Sequence, residues 1–265
     1  MSTTLFSLDA SCQPDQLILC ISRDQLGLAT IDTQHRKIYQ CAYSAFDLYQ
    51  PTALYNRIQE CLPAQHSISR IRVGFMLDDW CWTPTSLTSD NAKAAAWIES
   101  VWPNRTGHTW VSDSVISSDA TAWVRVPITL IDELKKICTD LTFAHASFTS
   151  VTPSTATHQL SIVRIGTTGF FSLRKQDQFL YGQPHHVTTV QELHYVLALL
   201  ADKFSWVPDQ VELTLSGQWQ LSTEWMDLLQ RYFTTLQGID CTWQGLDPAV
   251  PLHWFRPLED LVACE

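Results

Sequence analysis

Basic residues are scarce in this chain. Against 27 Asp and Glu stand 17 Lys and Arg, a formal net charge of −10 over 265 residues, and no basic run is longer than Lys135-Lys136 or Arg174-Lys175. Such a field opposes approach to a phosphate backbone, so no nucleic-acid partner is expected. Long apolar runs are missing too. None approaches the roughly 20 residues of a membrane-spanning helix, and the N-terminus MSTTLFSLDASC has no basic segment followed by an apolar one. A cytoplasmic protein without membrane insertion is expected. The third absence is paired cysteine: Cys12, Cys20, Cys41, Cys61, Cys81, Cys138, Cys241 and Cys264 include no Cys-x-x-Cys. Several lie in apolar strand patterns, which predicts free buried thiols rather than disulfides or a zinc site.

What is present begins with a core. At 45% hydrophobic residues the chain is a globular protein with enough length for one large or two ordinary domains. One segment occurs twice. LILCISRDQLGLATIDTQHRKIY, from Leu17 to Tyr39, and SIVRIGTTGFFSLRKQDQFLY, from Ser161 to Tyr181, align without a gap. Gly27 then falls on Gly169, Ile31 on Leu173, Gln34 on Gln176, Ile38 on Leu180 and Tyr39 on Tyr181, while Ser22 falls on Arg164. Each copy has the pattern of a strand, a tight turn, a second strand, a polar turn and a third strand. That is a β-meander opening each half of a repeated α/β chain.

The order behind each meander recurs. In the first half a helix is predicted over Ala53 to Leu62, ended by Pro63, then a strand over Ile71 to Leu77 leading into a turn at Asp78-Asp79-Trp80-Cys81-Trp82 and Pro84. Ser89-Asp90 caps a helix over Asn91 to Val101, Ala122 to Val126 is a strand, Thr129 to Cys138 a helix, and Leu141 to Val151 an alternating strand. In the second half a helix over Thr189 to Phe204 buries Leu193, Val196, Leu197 and Leu200. A strand over Val211 to Leu215, a turn at Ser216-Gly217, a helix opened by Ser222 and a final strand over Ile239 to Trp243 follow. A helix that returns a strand to the same sheet implies parallel pairing, so each half is expected to be a mixed sheet flanked by helices. The polar stretch Thr152 to Thr157 is the natural boundary. It gives a first subdomain over 1–151, with an insertion near 80–126, and a second over 152–265.

Val163-Arg164-Ile165-Gly166-Thr167-Thr168-Gly169 resembles the phosphate-binding turn of the actin-like ATPase superfamily, where apolar residues precede Asp-x-Gly and small residues. The resemblance implies an actin-like ATPase fold, a duplicated ribonuclease H-like motif. Over nearly the whole chain, the runs Gln191 to Leu197, Leu213 to Gly217 and Leu229 to Tyr232, with Trp82-Thr83-Pro84, are similar to the bacterial domain-of-unknown-function family 3822. In the superfamily two Asp-x-Gly turns and a Gly-Gly turn serve the nucleotide. Here they read Ser22-Arg23-Asp24, Arg164-Ile165-Gly166 and Ser216-Gly217-Gln218. A hydroxyl is a poor substitute for a magnesium-facing carboxylate, and a guanidinium repels the cation.

No catalytic, cofactor-binding or metal residue is therefore assigned, and a non-catalytic scaffold or protein-interaction module with an unidentified protein partner is expected. The alternative is a nucleotide-binding ATPase or phosphotransfer protein using Arg164 and the Gly166-Thr167-Thr168 turn, because an arginine also pairs with phosphate directly. The missing carboxylates weigh against a ribonuclease H-like nuclease as well. Adjacent His185 and His186 on an extended segment point to opposite faces, and His108 and His253 lie in loops, so none reads as a metal ligand. Asp78-Asp79 reads as a solvated turn at a strand end. Trp80, Trp82, Trp97, Trp102, Trp110 and Trp123 crowd the insertion. They either pack it or leave an aromatic binding face.

Overall fold

In the computed structural model the described residues are 4–7, 13–34, 37–62, 68–88, 91–103, 105–114, 120–149, 156–176, 178–207, 210–219, 222–243, 246 and 250–263. The first sheet is built by β1 (Thr4–Ser7), β2 (Gln16–Ser22), β3 (Gln25–Asp32), β4 (Lys37–Ala45), β5 (Arg70–Met76) and β9 (Leu141–Phe143), with α1 (Thr52–Cys61) between β4 and β5. Between β5 and β9 lie β6 (Trp80–Pro84), α2 (Thr85–Thr88), α3 (Asn91–Val101), β7 (His108–Ser114), β8 (Ala120–Pro127) and α4 (Ile128–Ile137). The second sheet holds β10 (His158–Ile165), β11 (Thr168–Lys175), β12 (Gln178–His186), β13 (Val211–Gly217) and β14 (Thr235–Gly238), with α5 (Val190–Phe204) and α6 (Thr223–Tyr232) between its strands and α7 (Arg256–Ala263) after them.

Strand order is β1-β4-β3-β2-β5-β9 in the first sheet and β12-β11-β10-β13-β14 in the second. Apart from β1 the plan is the same. An antiparallel meander is followed by a strand parallel to its first member, β5 on β2 and β13 on β10, and then by a short parallel edge strand. The molecule is thus two similar subdomains of mixed sheet flanked by helices. Central strands lose the alternation of a half-exposed sheet because both faces are covered: every residue of β2 is buried. Each such Leu or Ile contributes about 1.5–3 kcal/mol relative to leaving it exposed. α5 starts as its sequence says it should. Thr189 accepts from the Glu192 N–H and Glu192 reaches back to the Thr189 N–H, a reciprocal capping box.

Three local expectations are corrected. Trp80 to Pro84 is a strand, not a turn, and pairs with β8 to give a separate three-stranded sheet in the order β6-β8-β7. The strand expected over Leu141 to Val151 ends at Phe143, after three pairs with β5. A 3-10 turn over His145–Thr149 follows, which buries Phe148 beneath the first sheet instead of extending its edge. The last strand is Thr235–Gly238, not Ile239 to Trp243. The apolar character of the latter comes from packing, since Cys241 lies in the first subdomain's core and Trp243 packs against it. The predicted cap Ser89-Asp90, Pro63 and most of the boundary stretch 152–157 lie outside the described residues.

The core explains why the C-terminal segment crosses back. Leu258 and Leu261 of α7 join the apolar cluster of the first sheet, Phe255 stacks on Tyr43 at 5.5 Å, and Tyr43 O–H donates to Trp254 O at 2.8 Å. The tryptophans of the insertion turn mostly inward. Trp80 and Trp123 are buried, with Trp80 4.6 Å from Phe170 of the second meander. Trp82 donates its Nε1–H to Gly182 O at 2.5 Å and lies 4.6 Å from Phe179. Trp102 and Trp110 pack on each other at 6.5 Å. Trp97 alone of the six is exposed, at 42%.

Candidate functional site

The tips of the two hairpins meet. β2 reverses through Arg23-Asp24, with Ile21 opposite Leu26, and β10 reverses through Gly166-Thr167, with Ile165 opposite Thr168. Counted from the turns, Ser22 matches Ile165 and Asp24 matches Thr167, one residue away from the gapless alignment that sets Ser22 on Arg164. A step of one residue moves a side chain to the other face of a strand. Ser22 and Arg164 therefore occupy different places and act differently.

Asp24 closes the second turn. Both its carboxylate oxygens lie 3.2 Å from the Thr167 N–H, and the Ser22 hydroxyl is 3.3 Å from Oδ1. Ser22 Oγ in turn accepts from the Gln25 N–H at 3.1 Å, which fixes the first turn that carries Asp24. Gln218 Oε1 accepts from the neighbouring Gly166 N–H at 2.8 Å, while the Gln218 N–H donates to Arg164 O at 2.7 Å. Successive N–H groups in a turn form a concavity that holds anions. Here both donors are taken by the chain's own oxygens. Glycine is required at two points of this contact. Gly166 has φ 59° and a Cβ there would run into the Asp24 carboxylate; Gly217 has φ 86° and a Cβ there would run into the Arg164 carbonyl.

Arg164 lies between two indoles, its guanidinium carbon 5.3 Å from the Trp219 ring centre and 5.2 Å from that of Trp225. Its Nε–H donates to Gly166 O at 3.2 Å. Burial pulls its pKa below the usual arginine value and the negative charge of Asp24 opposes that pull; a guanidinium stays protonated throughout. Trp219 is held by its own Nε1–H on Ile162 O at 3.4 Å, and Trp254 donates to Trp219 O at 3.2 Å. A cavity of about 210 Å³ remains beside these groups, lined by Arg164, Gly166, Gln218 and Trp254. Its one charged lining residue is a cation, so a metal ion is repelled from it and an oxyanion attracted.

The other residues singled out in the sequence are dispersed. Asp79 pairs with Arg125 at 2.7 Å, an ion pair rather than a solvated turn, whereas Asp78 is exposed. Both line a second cleft, about 340 Å³, between the end of β5 and the three-stranded sheet. His185 shares a 2.5 Å hydrogen bond with the Tyr181 hydroxyl, and His186 is exposed at the strand end. His108 Nδ1 is 3.2 Å from Thr106 O, and His253 Nε2 is 3.5 Å from Trp219 O. Cys20, Cys41, Cys81 and Cys241 are free and buried; burial raises the Cys81 thiol to about 11. Sequence reasoning named Asp24 and Gln218 as members of the degenerate turns but gave them no role, and it missed Trp219 and Trp225 as partners of Arg164. Trp219 directly follows the third turn; nothing local pointed to Trp225.

No protein-family model matches the chain, and no curated protein matches it. Solved structures do. A Bacteroides thetaiotaomicron protein with actin-like ATPase fold and unknown function matches with a TM-score of 0.74 at 12% identity, over 94% of this chain and 96% of that one. The type IV pilus biogenesis complex of PilM and PilN matches with a TM-score of 0.60 at 13% identity, over 93% of this chain and 97% of that one. The ethanolamine utilization protein EutJ of Carboxydothermus hydrogenoformans matches with a TM-score of 0.53 at 6% identity, over 97% and 92%. At these identities the likeness is one of fold: the chain has the actin-like ATPase fold.

Proposed function

We propose that this protein is a non-catalytic member of that fold, a scaffold or protein-interaction module whose nucleotide site has been closed from within. The observation that carries the reading is the contact between the hairpin tips, in which Asp24 and Gln218 take the Thr167 and Gly166 N–H groups. A phosphate offered to that turn would have to displace a carboxylate already bound there. It would also lack a metal, because Arg164 stands where the superfamily pattern has a carboxylate. Function lives in the site and not in the fold, and this site retains the frame of the motif without its acidic chemistry.

A protein partner fits the same reading. One structure of similar fold is a complex of PilM with PilN, and the insertion leaves Trp97 and Val101, one helical turn apart on α3, exposed at 42% and 50%. To this reading also belong a bacterial origin, a cytoplasmic location, an origin of the two halves by internal repeat and kinship with family 3822. The test is phosphate release from Mg-ATP by the purified chain. Release at the rate of buffer alone is expected. Turnover that an Arg164→Ala change abolishes would instead establish the phosphotransfer alternative.

A further inference from the structure

We propose that the cavity beside Arg164 binds a small phosphate-type oxyanion without a metal ion. Arg164 uses its Nε–H on Gly166 O, and among the described residues no acceptor meets its terminal Nη groups. Gln218 uses its Oε1 on the Gly166 N–H, which leaves its amide donors similarly unmet. Both residues line the one cavity, with Gly166 and Trp254 as its other walls. Arg164 and Gln218 thus bring donors to one cavity, and among the described residues none of the protein's own groups receives them.

The chemistry of the donors selects the ligand. A planar guanidinium offers paired N–H groups that suit two oxygens of a tetrahedral anion. The indoles of Trp219 and Trp225 hold it in place, so little side-chain entropy is lost on binding. No carboxylate is among the lining residues, and Asp24 directs both its oxygens to the Thr167 N–H. At about 210 Å³ the space is below the roughly 300 Å³ at which pockets for drug-sized ligands begin. Inorganic phosphate fits that description and a whole nucleotide does not. The site adjoins the closed turn and shares Gly166 and Gln218 with it, but uses neither of that turn's N–H groups, so it stands whether or not the scaffold reading does.

Titration calorimetry of the full chain with sodium phosphate, in EDTA and with ionic strength balanced by sodium chloride, tests this. Saturable binding is expected, unchanged when EDTA is replaced by Mg²⁺. Gln218→Glu keeps an oxygen for the Gly166 N–H but replaces the amide donors with a carboxylate, and is expected to weaken binding at least about tenfold. Arg164→Lys keeps the charge and loses the fork, with a similar loss; if one variant does not fold, the other decides. No heat above the chloride control at about 20 mM phosphate, roughly the weakest affinity of interest, overturns the proposal. So does binding that needs Mg²⁺, or binding that the folded variants leave intact. A Mg-ATP arm run beside it reports on the closed turn separately.

Discussion

Asp24 is a short acid in a β-turn, and its value lies in where it ends. Its carboxylate satisfies the Thr167 N–H across 143 positions of sequence. Removing a partner from a part-buried donor costs about 1–3 kcal/mol, so Asp24→Ala is expected to lower stability by that amount in urea denaturation. Asp24→Asn, which keeps one acceptor oxygen, should lose clearly less; equal losses would mean the contact is incidental. A second residue gives a pH signature. His145 is fully buried in the 3-10 turn, its Nε2 3.2 Å from Ala122 O and its ring edge-on to Trp80 at 5.3 Å. Burial lowers its pKa from 6.5 to about 4, against a smaller opposite pull from the Ala122 carbonyl. The unfolded chain then binds the proton more readily, so stability is full above the unfolded pKa and falls as pH drops from 6.5 towards 4. Asp260, raised by burial to about 6 in spite of Arg256 beside it, works in the opposite sense over much of that window. The decisive quantity is therefore the difference between wild type and His145→Asn, expected to narrow by on the order of 3 kcal/mol on acidification. A pH-independent difference would place the His145 pKa near its ordinary value.

Elements divide into those whose signals are local and those whose shape is imposed by distant partners. The meanders and α5 were legible because alternation, turn residues and the Thr189 to Glu192 capping box all sit within a few residues of the structure they cause. The strand ends at Phe143 and Gly238 were not. An alternating apolar run looks the same whether it extends a sheet edge, as expected for Leu141 to Val151, or turns down onto a core, as Phe148 does. The site was legible as an absence, with Ser22 and Arg164 at the two positions where the pattern has an acid. Its closure was not, because nothing local in Ser22-Arg23-Asp24 says that the turn will meet Gly166-Thr167. Of the two explanations that the tryptophan density admits, packing accounts for most of the six and exposure for Trp97. β6 presses Trp80 and Trp82 onto Phe170 and Phe179 of the second meander. Trp82→Ala removes a large, half-buried ring and an indole hydrogen bond at that seam, a change expected to cost somewhat less than the roughly 3–5 kcal/mol of a fully buried aromatic. Amide exchange over Phe179 to Gly182 should quicken in that variant, while that of α1 and α4 stays as in wild type. Uniform acceleration over the whole chain would show that the seam is not a separate unit of stability.

Across the whole molecule, two similar subdomains are joined where their turns touch, at the insertion and by the C-terminal helix that returns to the first sheet. In a fold whose resemblance implies a nucleotide between such turns, these contacts hold the tips together through the protein's own groups. A closed turn has a direct consequence in solution: Mg-ATP finds no site on the native chain. The most direct measurement is a melting scan of the full chain with millimolar Mg-ATP, because any ligand of the native state must raise its stability by mass action, by about 2.7 kcal/mol at a hundredfold excess over Kd. An unchanged melting temperature, in wild type and in Arg164→Ala alike, is the expected result. A clear rise in wild type that Arg164→Ala abolishes would contradict it and make this chain a nucleotide-binding protein.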